Sequence, residues 1–241
     1  MKKITVLVGM LFPVFLSFAQ SDTEKARVSA AYQIYQQQIP LHQMLRIGRS
    51  YEHFYLSTEG NQYLVDPVPR TGELLYEGVW YPEITLNYDI YNELIFVSFT
   101  LEGYHRSVIL NEKRVGYMNL HGMRFVYLSE DTNKQMPAGI YQEAYAGKAY
   151  SFWIKRKKKL NNNSVNSSNG NRYKFVQTDL YYLKNGEEVT RFSGKSDLLK
   201  TLGSTPEVMA VIRENKLRLK PGKPEFVQEV TELLRLLEQK P

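Results

Sequence analysis

The sequence predicts a mainly β (α+β) fold: an antiparallel meander or half-barrel sheet, with an N-terminal helix before it and two to three C-terminal helices after it. Three observations carry this. "ITLNYDI" (84–90) alternates apolar and polar residues with the period of two that a strand requires. Glycine is followed three residues later by an aromatic at Gly48/Tyr51, Gly60/Tyr63, Gly78/Tyr81, Gly122/Phe125, Gly147/Tyr150 and Gly170/Tyr173. That is the grammar of a turn and a returning strand. Past Gly194 the apolar spacing lengthens to three and four, the period of a helix. The 18 tyrosines suit the same class, because aromatic rings pack well on a half-buried pleated surface.

The chain opens with an export address. Lys2 and Lys3 precede an apolar stretch from Ile4 to Phe18, and Ser17 and Ala19 supply small residues before a cut after Ala19. This is the layout of a cleaved signal peptide over 1–19. The apolar stretch falls short of the ~20 residues of a spanning helix, and Pro13 interrupts it. Residue 20 is glutamine, so no lipidated cysteine follows the cut. The absence of cysteine excludes disulfides, thiol catalysis and thiolate metal sites. The expected location is the periplasm or the exterior. Residues 20–241 are expected to form a single β-rich domain with a helical segment at 196–239.

The elements follow in order. Residues 22–38 suit a helix, with Ala26, Ala30 and Ile34 on one side and Pro40 at its end. In "ITLNYDI", Ile84, Leu86, Tyr88 and Ile90 form one face, and Thr85, Asn87 and Asp89 form a wet one. "ELIFVSFT" and "MRFVYL" read as strands buried on both faces. Asn185-Gly186 predicts a hairpin that sets Lys184 opposite Glu187 and Tyr182 opposite Val189, and a weaker hairpin turns at Ala146-Gly147. The irregular spacing of the glycine–aromatic pairs argues against a solenoid or propeller. Ser196 is expected to cap a short helix, and Ser204 with Glu207 to form a capping box around Pro206. Phe226, Val230, Leu233 and Leu237 give the last helix one apolar stripe.

The segments "LLYEGVWYPEITLNYDIYNELIFV", "VILNEKRVGYMNLHGMRFVYL", "LYYLKNGEEV" and "SDLLKTLG" together resemble a family of uncharacterised exported proteins of Bacteroidetes. The resemblance implies an exported β-rich protein. It brings no activity and no site residues.

The formal charge of +6 is concentrated. Two of the 31 cations lie in the leader, and five are consecutive: Lys155, Arg156, Lys157, Lys158 and Lys159. The rest of the exported chain is near neutral, so a general grip on nucleic acid is not expected. The run leads into asparagines and serines and reads as an exposed loop, whose five cations are candidates for weak contact with an anionic membrane surface. "GKS" at 194–196 lacks the earlier glycine of a phosphate loop. His42, His53, His105 and His121 do not stand at metal-ligand spacings, and no serine-nucleophile motif occurs. Glu83, Asp89, Glu93, Glu102, Glu130, Asp131 and Asp179 are carboxylates of the β region, and a hydrolase would need two of them facing across a cleft. No cofactor and no metal site are expected.

The sequence therefore points to an exported, non-catalytic cell-envelope protein that binds a protein or ligand through a tyrosine-rich sheet. The alternatives are a periplasmic carrier of an apolar ligand, with a cavity lined by Phe96, Phe99 and Trp80, and an exported hydrolase with a carboxylate site.

Overall fold

Short alternating segments separated by glycine turns produce thirteen strands in the computed structural model, which describes residues 48–52, 58–129, 136–162 and 173–239 together with Arg27 and Leu45. They are β1 (Thr58–Glu59), β2 (Arg70–Tyr76), β3 (Val79–Asp89), β4 (Leu94–Leu101), β5 (Tyr104–Ile109), β6 (Val115–Leu120), β7 (Met123–Leu128), β8 (Gly139–Ala146), β9 (Tyr150–Lys155), β10 (Lys158–Asn162), β11 (Tyr173–Gln177), β12 (Leu180–Asn185) and β13 (Glu188–Phe192). Three helices follow: α1 (Lys195–Leu202), α2 (Pro206–Glu214) and α3 (Phe226–Gln239). The mainly β class is the one the sequence predicts. These elements belong to the compact unit Ile47–Pro241. The helix expected at 22–38 lies outside the described residues, apart from Arg27, which is helical.

Ten strands form one antiparallel sheet in the order β13-β12-β9-β8-β7-β6-β2-β3-β4-β5, and β1-β11-β10 form a second. The large sheet is a meander broken where β6 returns to pair with β2, and where β10 and β11 are inserted between β9 and β12. Two of its tight turns, Glu102-Gly103 and His121-Gly122, have both central residues at positive φ, which matches the twist of the flanking strands.

The sheet is strongly curled. Four strands separate β9 from β3, so on a flat sheet these two would stand about 24 Å apart. Yet Lys155, at the end of β9, forms a 2.9 Å ion pair with Glu93, in the turn after β3. The Lys158 amide also donates to the Ile90 carbonyl at 3.2 Å. Leu74, Leu86, Tyr88, Met118 and Phe125 are buried, with the Tyr88 and Phe125 rings edge to face. A second core joins sheet to helices: Phe152, Ile154, Leu183 and Phe192 pack with Leu198, Val211, Phe226, Val230 and Leu233.

Several local expectations are corrected. Asn87 and Asp89, placed on a wet face, are fully buried, because residues 61–66 cross that face and supply hydrogen-bond partners. In "MRFVYL" only Phe125 is buried. The 185–188 hairpin is shifted by one residue: Asn185 pairs with Glu188 and Lys184 with Val189, with Gly186 as the first turn residue. Asn185 is held in its strand by donating to the Thr201 carbonyl of α1 at 3.2 Å. Ser196 does not cap α1, which begins after Gly194; Ser193 instead donates its backbone N–H and hydroxyl to Asp197 in the first turn. Thr205, and not Ser204, caps α2 by accepting from the Val208 amide.

Candidate functional site

Alternation decides where the basic run points. Successive side chains of an extended backbone leave on opposite sides, and the run continues β9 into β10 instead of forming a loop. Lys155 and Lys157 turn toward Glu93, at 2.9 and 2.6 Å. Arg156 turns the other way, donating Nε to Gln142 at 2.7 Å and Nη1 to Asp179 at 2.5 Å. Lys158 reaches the Asn61 side chain and the Tyr63 carbonyl. Lys159 is exposed. The expectation of an exposed loop is thus corrected for 155–162: four of the five cations are engaged inside the fold. Residues 163–172 lie outside the described residues.

The electrostatics follow. Burial pushes the Glu93 carboxyl up, but hydrogen bonds from Lys157 and Lys155 outweigh it and hold the group below the usual carboxylate range. Burial lowers Lys158, opposed by the charges of Asp179 and Asp89. Glu93 is therefore the anchor of a cationic clasp that closes the curl of the sheet.

The other carboxylates are engaged singly. Asp89 accepts five hydrogen bonds: from the Tyr51 hydroxyl, Gln62 and Asn92 side chains on Oδ2, and from the Tyr91 and Asn92 amides on Oδ1. Tyr51 is itself stacked on Phe96 at 4.0 Å, and its hydroxyl is pushed well above its ordinary value, first by burial and then by hydrogen bonding with Tyr63 and Asp89. Glu83 and Glu102 are exposed, and Glu130 and Asp131 lie outside the described residues, as do His42 and His53. His105 contacts Thr100 at 3.2 Å, and His121 occupies its turn. Among the described residues no three histidine or acidic side chains gather as a metal site. Phe96 and Phe99 stand on opposite faces of β4, and Trp80 is exposed, so the three do not line one cavity.

Trp80 belongs instead to a surface that the sequence reading missed. The register aligns Trp80 with Leu75 and Leu75 with Tyr117, and Glu73 with Asn119 and Asn119 with Arg124. Together with Glu143 of β8, the partner of Arg124, these residues share one face of five adjacent strands, β3-β2-β6-β7-β8, about 19 Å across. Glu73 is its hub. Trp80 Nε1 donates to it at 2.6 Å, Tyr117 at 2.8 Å and Asn119 at 2.5 Å. These bonds, Tyr117's first, hold the Glu73 carboxyl below the usual range against the opposing effect of burial. Arg124 lies over the Tyr117 ring at 4.2 Å and pairs with Glu143 at 3.0 Å. Trp80 is 44% exposed. The sequence signal was present as Thr71 and Glu73 at alternate positions of β2 and Tyr117 and Asn119 at alternate positions of β6, but only the register brings them together.

Compared with protein-family models, curated proteins and solved structures, the chain matches none.

Proposed function

We propose that this is an exported, non-catalytic cell-envelope protein that binds a protein partner through the open face of Trp80, Tyr117 and Arg124. The observation that carries the reading is the composition and fixation of that face. Tryptophan, tyrosine and arginine are the residue types that dominate binding energy at protein interfaces. Here Trp80 and Tyr117 are held by Glu73, and Arg124 by Glu143 and the Tyr117 ring, before any partner arrives, so little side-chain entropy is lost on docking. The non-catalytic part rests on the carboxylates: Glu73, Asp89, Glu93 and Asp179 each accept from donors within the fold. Export rests on the leader pattern at 1–19. Among the described residues no helix is long and apolar enough to cross a membrane. An export leader predicts an N-terminus at Gln20, which mass spectrometry of the exported chain checks.

The binding reading is tested by placing a photo-crosslinking residue at position 80 or 117 in the expressed protein. A discrete adduct at both positions, lost when Arg124 is replaced by Glu and absent with the crosslinker at Glu207 of α2, supports it. The absence of any adduct at both face positions refutes it.

A further inference from the structure

Arg156 leaves the clasp and enters a second feature that the open face does not use. Beside it lies a cleft of about 580 Å³ between the sheet, at β8, β9 and β12, and the segment leading into α3. That volume is ordinary for a small-molecule site. We propose that this cleft binds an uncharged saccharide.

The polar wall is prebuilt. Gln142 is 7% exposed and the Arg156 side chain 14%, so neither is a loose surface group. Arg156 joins Gln142 Oε1 at 2.7 Å to Asp179 Oδ2 at 2.5 Å. Asp179 also accepts from Gln177 Nε2 at 2.8 Å and from the Lys157 amide at 3.1 Å. Functional valence remains. A guanidinium carries five N–H groups, of which these bonds use two. Gln142 turns its oxygen to Arg156, which leaves its amide nitrogen as the donor end. Gln228 adds a further amide at the rim.

This set of groups favours a hydroxyl-rich, neutral ligand. An amide offers a donor and an acceptor side by side, and a sugar hydroxyl is both at once. Arg156 and Asp179 cancel each other at contact distance, and the other cation of the lining, Lys223, is exposed and screened by water, so the interior of the cleft has no strong field to recruit an anion. A phosphate would also meet the Asp179 carboxylate, whose side chain is 6% exposed and fixed in place. Part of the remaining wall is apolar and suits the C–H face of a pyranose. It consists of the Tyr181 ring, held edge-on by Phe226 at 5.0 Å, with Pro224 and Val227.

The test is an NMR titration of the ¹⁵N-labelled exported chain. The probes are D-glucose, D-galactose, N-acetyl-D-glucosamine and its disaccharide, with inorganic phosphate and octanoate in parallel. Saturable shifts at Gln142, Arg156 and Tyr181 with a saccharide, weakened about fivefold in Gln228→Ala, are expected, as for loss of one hydrogen bond. Gln228 is exposed, so this variant keeps the fold; Asp179→Asn serves as a second variant and should weaken binding further. No saccharide-dependent shift in the cleft overturns the assignment. So does the same pattern produced by phosphate or octanoate instead, or binding unchanged in both variants. The crosslinking at Trp80 is untouched by any of these outcomes, so the two readings fail separately.

Discussion

Glu93→Ala is the perturbation that interrogates the clasp most directly. Glu93 bridges Lys155, whose side chain is 6% exposed, and Lys157, which is 35% exposed; its own side chain is 28% exposed. Removing one partner of a buried ion pair costs ~3–5 kcal/mol, because the other charge is left desolvated and unpaired. The outer half of this triad is screened by water, which discounts the cost to ~2–3 kcal/mol. With a urea m-value of ~2 kcal/mol/M, the midpoint should fall by about 1–1.5 M. Glu93 sits at φ +57°, so alanine, which faces the same backbone strain as glutamate, is a cleaner substitution than glycine. The penalty is ascribed to an uncompensated charge and not to lost volume. Replacing Lys155 by Met in the Glu93→Ala background should therefore restore most of the midpoint. A single variant within ~0.5 kcal/mol of the parent, or a double variant worse than the single, refutes the reasoning.

Acid should reproduce part of the same effect. The folded Glu93 carboxyl lies below its unfolded value of ~4.3, so its contribution is present above that pH and is lost as pH falls through the folded value; urea midpoints of the parent should fall over that range more steeply than those of Glu93→Gln. Asp89→Asn should cost ~3 kcal/mol or more in equilibrium unfolding, since the new amide nitrogen faces three donors that the carboxylate accepted. An unchanged midpoint would remove Asp89 as a structural hub. Glu238 of α3 accepts from the Lys148, Ala149 and Tyr150 amides and from the Tyr145 hydroxyl, which ties the last helix to the β8–β9 turn. Glu238→Ala should lower Tm by about 2–4 °C by calorimetry, equivalent to ~1 kcal/mol. Gly147→Ala should do the same by a different route, because its Cβ would displace the Glu238 carboxylate from the turn amides.

What was legible in the sequence is what depends on neighbours. The period-two alternation of 84–90, the turn at His121-Gly122 and the apolar stripe of α3 are local patterns, and each appears as an element in the structure. The larger errors share one cause. Asp89 reads as a wet strand residue because Tyr51 and Gln62, which bury it, lie 38 and 27 residues upstream. The Asn185-Gly186 pair is a strong turn signal, yet the register was set by the Asn185 side chain reaching a carbonyl of α1, a contact 16 residues away. The open face was invisible for the same reason. Glu73 and Asn119 are 46 residues apart and become partners only when β6 crosses back to β2.

The basic run shows how one local rule and several distant partners combine. Five adjacent cations repel one another and read as a solvated loop if their surroundings are unknown. On an extended backbone the first three are sorted by parity: Lys155 and Lys157 to one side, Arg156 to the other. Carboxylates on different parts of the chain then meet each set, Glu93 after β3 and Asp179 before β12. Repulsion along the run is thereby exchanged for attraction across the sheet. The two sides are mechanically joined, since Arg156 is held between two clasped lysines. If the clasp fixes the backbone that presents Arg156, then Glu93→Ala should also broaden the Arg156 and Gln142 resonances, although Glu93 lines no part of the cleft. Sharp, unshifted cleft resonances in a Glu93→Ala variant that has lost its expected stability would mean that the clasp closes the curl without shaping the cleft.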